Sequence, residues 1–530
     1  EKLTKFYLRR AKRILPSSLV VVIFTALLTK LFLAPIYQPR FRIDALWSSL
    51  MGANIGFGFH GLDYLQATTA PSPFLHYWSL GVEEQFYIVW PLLFFTLIAL
   101  RNRKTFIYLL PAAIIIALVT SAYFPVFSFY LPTSRAFQFL FGAGLAIGIS
   151  AKKNKNLIAM VGWIGIIASA LLIPDNIANP NRFSLIPTIS TALVIFANSK
   201  LFTFRTLQYI GELSFTLYLV HWPIILLIGK GTQEIHGIKI LWAVIAMVIA
   251  TLALSIFIEL PFRYESFGKI SPRSWLLIMA CATLIAQSVY LLPGAKASSK
   301  FQIDLSKPII YNNNCHLNQR QSALSTNCTW GSTGPKVLLT GDSHAAQWFP
   351  ALAELAKQNK LVVTSQTKSS CPITFDSVYA SGQIDKSCDV WHTNIIELIR
   401  SQKFDYVLIS NFDKNNYKYS GSGTGINDFI AAITTGAKVV QIVDTPKPPS
   451  DSVACLSANP NSPSACNFRA EASIKYAANI IDPANWLCSN GECSAVLNGF
   501  NTYRDGSHIS VATSKYLAPK LYRELLKYNR

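Results

Sequence analysis

The chain has 530 residues, a formal net charge of +20, 51% hydrophobic and 14% charged residues, against about 25% charged in an ordinary soluble domain. That balance excludes a single small soluble domain and points to membrane spans. The basic residues fall in short clusters between apolar runs and not along one amphipathic face, so they argue for membrane topology and against nucleic-acid binding.

In chain order, the apolar runs long enough to approach a span of about 20 residues are 16–34, 84–100, 105–121, 136–150, 156–173, 185–198, 213–229, 238–260 and 275–293. Segment 42–59 is less apolar and holds Asp44 and Asn54, which predicts a surface or partial re-entrant piece. With the N-terminus inside, the inner loops carry Lys2, Lys5, Arg9, Arg10, Lys12 and Arg13, then the clusters at 101–104, 152–155, 200–205 and 263–273. The outer loops and mouths carry only Arg40, Arg42, Arg135, Arg182, Lys230 and Lys239. This is the positive-inside bias. Nine spans then put everything after Pro293 on the outer side. The chain enters on EKLTKFYLRRAKRILP, residues 1–16, with no signal peptide, and reads as the middle of a longer protein.

Polar side chains at membrane depth are functional candidates by default. HYWSLGVEEQFYIVWP, residues 76–91, sets His76, Glu83 and Glu84 at the entrance of a span. SRAFQFLFGAG, residues 134–144, sets Arg135 at another mouth, and GELSFTLYLVHWP, residues 211–223, sets His221 well inside a span. The bland readings are a helix-start charge for Glu84 and interfacial belts for Tyr and Trp. Together with FYLRRAKRILP at 6–16 and IELPFR at 258–263, these stretches resemble the membrane-bound acyltransferase-3 family over about residues 1–265. The resemblance implies acyl transfer from a cytoplasmic acyl-CoA to an extracytoplasmic glycan. It assigns Arg10 and Arg13 to the donor's phosphates, whose geometry suits guanidinium forks, and matches Glu83 or Glu84 and Arg135 to the family's polar positions. It also implies an earlier span with the family's catalytic histidine, upstream of Glu1.

Beyond Pro293 the composition turns polar, and eight of the nine cysteines lie there. An even number in a polar domain predicts disulfides and an oxidising compartment. Short loops favour the neighbour pairs Cys315–Cys328, Cys371–Cys388, Cys455–Cys466 and Cys488–Cys493, and no Cys/His spacing suits a metal. Residues 294–336 read as linker and lead-in to a domain over 337–530. There strands at 337–340, 361–366, 406–411 and 438–444 alternate with helices at 345–358, 393–402, 426–435 and 510–527. This alternation predicts an α/β domain with a parallel sheet.

VLLTGDSHAAQW, residues 337–348, places Ser343 at the carboxyl end of the first of these strands, where ligands bind in such sheets. By itself the tetrad reads as a turn with an N-cap serine. YRDGSHIS, residues 503–510, adds Asp505 and His508 before the last helix, a spacing that lets a carboxylate orient an imidazole facing a serine. The two elements resemble the SGNH hydrolase family over about 336–528. By that resemblance Ser343 is nucleophile, His508 base and Asp505 its orienter. Asn411, in VLISNFD, is the candidate for the oxyanion asparagine. The alternative is the Ser343 amide with a loop near Ser369 or Ser370, and the GIND at 425–428 ranks lower because it opens a helix.

The fused pair implies a bacterial envelope O-acyltransferase with no bound cofactor. An acyl group, acetyl first among candidates, passes from acyl-CoA through Ser343 to lipopolysaccharide, peptidoglycan or exopolysaccharide. The implied setting is the inner membrane with a periplasmic C-terminal domain. The alternative is an anchored glycan esterase with the same triad.

Overall fold

A computed structural model describes residues 3–59, 71–99, 129–145, 150–173, 182–200, 204–231, 235–264, 271–292, 301–319, 321–380, 383–412, 419–420, 425–433, 437–449, 451–471 and 479–528, with 473, 475–477 and scattered residues of 111–119. The chain divides into two compact units, Glu1–Gly294 and Ala295–Arg530.

The first unit is helical. Its described helices are α1 (Leu3–Phe32), α2 (Gln38–Ser49), α3 (Ala53–Phe59), α4 (Tyr77–Ala99), α5 (Pro132–Leu145), α6 (Lys155–Leu172), α7 (Leu185–Ala197), α8 (Arg205–Ile228), α9 (Ile238–Leu254), α10 (Leu260–Tyr264) and α11 (Pro272–Leu291). Five helical stretches among the described residues are long and apolar enough to cross a membrane: Lys5–Phe32, Lys155–Leu172, Arg205–Ile228, Ile238–Tyr264 and Arg273–Leu291. This is a multi-pass membrane unit. The predicted span at 105–121 lies almost wholly outside the described residues.

Two expectations change. Segment 42–59 lies in α2 and α3 and packs into the unit on one side, with Asp44, Ala45, Asn54 and Phe57 buried, while Ile43, Leu46, Ile55 and Phe59 are exposed. The polar groups are matched inside: Asn54 Nδ2 donates to Gln85 Oε1 at 3.1 Å and to the Tyr130 carbonyl at 3.1 Å. Helix α4 begins seven residues before the expected span. It runs antiparallel to α1, since Tyr77 Oη donates to the Ser18 carbonyl at 2.7 Å while Tyr7 Oη donates to the Ile88 carbonyl at 3.0 Å. Glu83 and Glu84 therefore stand level with Arg10, two turns inside the helix, and not at its entrance.

The second unit is a three-layer α/β fold. Its main sheet comprises β1 (His316–Leu317), β2 (Thr329–Trp330), β3 (Lys336–Gly341), β4 (Val362–Lys368), β5 (Tyr406–Ser410), β6 (Lys438–Ile442) and β7 (Asn479–Ile481). The order is β1-β4-β3-β5-β6-β7, all parallel, with β2 antiparallel on β4. Strand β3 is central and reads as an unbroken apolar run because both its faces are covered. Val337 and Leu339 join the core on one face and Leu338 that on the other. Helices α12 (Ser343–Ala346), α13 (Phe349–Lys357) and α16 (Val511–Lys527) pack on the first face. Helices α14 (Lys386–Ser401) and α15 (Gly425–Ile433) pack on the second through Trp391, Ile395, Phe429 and Ile433.

The helix expected over 345–358 is two, α12 and α13, because Pro350 fits only a first helical turn. Residues 301–336, within the stretch expected as linker and lead-in, contribute to the sheet. They supply β1 and β2, the buried Phe301 and Ile310, and the Cys315–Cys328 disulfide. Two-residue strands carry too little periodicity to be read in advance. The other disulfides are Cys371–Cys388, Cys455–Cys466 and Cys488–Cys493.

Candidate active site

The chain leaves β3 between β4 and β5, where the strand order reverses. Such a switch point opens a crevice at the carboxyl ends of the strands. Gly341 makes the exit possible. At φ +136° a Cβ there would stand 2.0 Å from the Ser410 carbonyl oxygen and 2.9 Å from Ala345 Cβ. The next residue, Asp342, caps α12: its Oδ1 accepts the His344 amide at 2.8 Å, and its Oδ2 accepts the Phe412 amide at 2.8 Å. The cap is thus Asp342 and not Ser343, which leaves the serine hydroxyl for another partner.

That partner is His508. Its Nε2 lies 2.9 Å from Ser343 Oγ, and its Nδ1 lies 3.0 and 2.9 Å from Asp505 Oδ1 and Oδ2. Asp505 Oδ1 also accepts the amides of Ser507 and His508 at 2.9 and 2.8 Å, so one carboxylate shapes the turn and orients the ring. Gln347 Oε1 accepts the Ile509 amide at 2.8 Å and ties this turn to the end of α12. Ser343 and a pair 3 residues apart, Asp505 and His508, thus form one line, although Ser343 and His508 are 165 residues apart in sequence. Burial, helped by the neighbouring His344, pushes His508 down to about 4 against the pull of Asp505, so the ring is neutral at physiological pH and able to accept a proton. Burial acts to raise Asp505, but the His508 hydrogen bond and the charges of His508 and Arg504 prevail and hold it below the ordinary carboxylate range.

Asn411 follows β5 and is held by the backbone of Ile373, which leaves one of its two Nδ2 hydrogens for a further acceptor. Its Oδ1 accepts the Ile373 amide at 2.9 Å and its Nδ2 donates to the Ile373 carbonyl at 3.2 Å, pinning the loop after β4. In that loop the Ser369 amide donates to the Leu317 carbonyl at 2.8 Å, and Ser370 holds a left-handed φ of +54°. Among the described residues no acceptor takes the amide of Ser343 or Ser370. The GIND segment opens α15, as expected.

Sequence reading missed a second buried pair. His344 Nδ1 lies 2.6 Å from Asp444 Oδ1, beyond the end of β6. The only available hint was the histidine beside Ser343. It also missed Arg504, whose Nε lies 3.6 Å from Asp505 Oδ2.

In the helical unit a cavity of about 430 Å³ is lined by Arg10, Arg13, Ser79, Glu83, Tyr87 and Tyr218 among others. The Arg10 guanidinium lies 3.1 Å from the centroid of the Tyr87 ring and 3.8 Å from Glu84 Oε1. Two guanidinium groups and a wall of hydroxyls suit an anionic, phosphate-bearing ligand. Arg135 stands apart from this group: its Nε donates to the Phe129 carbonyl at 3.1 Å, and the guanidinium lies 4.6 Å from the Trp78 ring centroid. His221 packs against His76, with ring centroids 5.7 Å apart.

Fold and site together define a multi-pass helical membrane unit joined to a parallel α/β unit with a serine–histidine–aspartate line at its switch point. Residues 1–260 match the acyltransferase-3 family model, described as an acyltransferase domain, and residues 314–523 match the SGNH domain described as fused to AT3 domains. The chain thus carries an acyltransferase-3 domain fused to an SGNH domain.

It is 28% identical over 297 residues to the peptidoglycan O-acetyltransferase OatA of Listeria monocytogenes, covering 50% of this chain and 47% of that protein. It is 28% identical over 299 residues to the putative peptidoglycan O-acetyltransferase YrhL of Bacillus subtilis, covering 51% and 47%. With the O-acetyltransferase OatA of Staphylococcus aureus the identity is 26% over 297 residues, covering 50% and 48%. The chain spans about half the length of these curated relatives. Among solved structures, the periplasmic domain of a lipopolysaccharide acetyltransferase from Salmonella ser. Paratyphi A aligns with 93% of its length and 41% of this chain, at 16% identity and a TM-score of 0.32.

Proposed function

We propose that this chain is an O-acyltransferase of the bacterial cell envelope, moving an acyl group, acetyl in the simplest case, from cytoplasmic acyl-CoA to a hydroxyl of an extracytoplasmic glycan. The observation that carries the proposal is the Asp505–His508–Ser343 line in a disulfide-bonded unit fused to an acyltransferase domain. The relatives' names favour peptidoglycan as acceptor, with lipopolysaccharide or exopolysaccharide as the other candidates. The disulfides favour an oxidising compartment, and the positive-inside bias favours the outer face of the plasma membrane.

The chemistry runs in two halves. The membrane unit passes the acyl group across; Ser343 Oγ attacks its carbonyl carbon while neutral His508 takes the serine proton at Nε2, and the group that carried the acyl leaves with that proton as the serine ester forms. Asp505 stabilises the imidazolium at Nδ1. A sugar hydroxyl then gives its proton to Nε2 and attacks the ester, and Ser343 recovers a proton as the acylated glycan departs. The amides of Ser343 and Ser370 are the proposed oxyanion donors, with Asn411 bracing the loop that presents the second. On the inner side Arg10 and Arg13 hold the donor's phosphates, with Glu83 and Glu84 orienting them.

The test is glycan O-acetylation in cells whose own copy is replaced by Ser343→Ala. Loss of glycan O-acetyl with membrane protein levels maintained supports the proposal. Acetylation that persists refutes the serine route, and acetylation that rises would favour an esterase.

A further inference from the structure

Beside the triad lies a second buried histidine–carboxylate pair that the reaction above does not use. His344 is 2% exposed and its Nδ1 is 2.6 Å from Asp444 Oδ1, while Asp444 Oδ1 also accepts the Thr445 amide at 2.8 Å. The His344 ring packs, tilted, against two others: its centroid is 4.4 Å from that of His508 and 4.5 Å from that of Phe412, with interplanar angles of 38° and 34°. Its backbone amide is fixed by Asp342. Two largely buried imidazoles at this distance cannot both carry a proton without strong repulsion.

We propose that His344, held by Asp444, is a positioning residue for His508: it takes the site's one excess proton and so keeps the base imidazole free to deprotonate Ser343. The inference rests on the reading of Ser343 as nucleophile. The groups around the two rings decide which one is protonated. His508 faces Asp505, Ser343 and Ser507, and Asp505 is itself shared with Arg504 at 3.6 Å. His344 faces Asp444 directly, with Asp342 and Asp505 adding to the negative field around it. His316 is held between the hydroxyls of Thr367 and Ser369 at 2.9 and 2.8 Å, and burial drives it down to about 3, so it carries no competing charge. Burial opposes the protonation of His344, but Asp444 outweighs it and the pKa is raised. The same cation lies beside His508, whose pKa burial lowers and that charge lowers further.

The experiment follows the rate at which a fluorophosphonate labels Ser343 in the full chain, in detergent, as a function of pH. That rate requires neutral His508 and so reads its protonation directly. The unmodified chain should label with an acidic limb well below the ordinary histidine value of about 6.5. Asp444→Asn and His344→Gln should each move the limb upward by about one unit, slowing labelling roughly tenfold on the acidic side of the new limb. A role in packing alone would lower the plateau and leave the limb in place, and that result overturns the inference. So does a limb near 6.5 in the unmodified chain, which decides the matter even if a variant fails to fold. No labelling at any pH removes Ser343 as nucleophile, and the inference falls with it. Labelling with an ordinary limb removes only the inference.

Discussion

Asp505→Asn separates the two tasks of this carboxylate. Asparagine is isosteric, and its Oδ1 can still accept the Ser507 and His508 amides that Asp505 now accepts at 2.9 and 2.8 Å. The turn should survive. What is lost is the anion facing His508 Nδ1 at 2.9 Å. An amide Nδ2 presented there would require Nδ1 to accept, which places the ring proton on Nε2, facing Ser343 Oγ. The base is then in the wrong tautomer, and nothing balances the imidazolium that must form. In a serine triad this costs about 10⁴-fold in kcat, or about 5 kcal/mol at roughly 1.4 kcal/mol per tenfold. The assay is steady-state release of acetate from a chromogenic ester by the full chain, with thermal unfolding as the control for fold. A loss under about tenfold, with Tm unchanged, would mean that Asp505 only shapes the turn.

Three further predictions follow from the same geometry. Asn411→Ala should destabilise the second unit by about 1–3 kcal/mol, because it leaves the buried Ile373 amide and carbonyl without their partners. Ester turnover per folded molecule should then change only a few-fold, whereas a true oxyanion asparagine would cost roughly 10²–10³. Between pH 6.5 and 4 the second unit should lose stability in urea titrations, because His508, His316 and His392 are buried neutral at about 4, 3 and 4, and the unfolded chain binds their protons first. His344, with its pKa raised, works in the opposite sense: its contribution is present in acid and fades as pH rises through its folded pKa. A flat profile across that window would contradict the burial account. Replacing both Cys315 and Cys328 by Ala, which opens a loop of 13 residues, should cost the unit about 3 kcal/mol in the same titration. A change under 1 kcal/mol would mean that the reduced chain is already constrained there.

Much of this was legible because the relevant patterns are local. The run at 337–340, the glycine after it and the late D-G-S-H each have their own signature, and β3 and α16 form where those signatures place them. The four disulfides join near neighbours, so loop length sufficed. What escaped was set by tertiary partners. Asp444 stands 100 residues from His344, and no spacing rule links them. For Asn411 the residue type and the strand end were legible, but not the Ile373 backbone groups that its Oδ1 and one Nδ2 hydrogen bind. Segment 42–59 looked too polar to be interior because hydropathy counts Asn54 as a cost, whereas Gln85 and the Tyr130 carbonyl satisfy it. The two-residue strands of 301–336 pair with β4 through backbone groups that composition does not report.

The most direct test of the account asks whether the acyl group passes through Ser343. Inverted membrane vesicles containing the full-length protein would receive acetyl-CoA labelled in its acetyl group, without glycan acceptor, and the peptide spanning Ser343 would be analysed by mass spectrometry. The account predicts labelled acetyl on Ser343, absent in Ser343→Ala and released when acceptor glycan is supplied. Labelled glycan formed while Ser343 stays unmodified, at equal rate in the Ala variant, would contradict it.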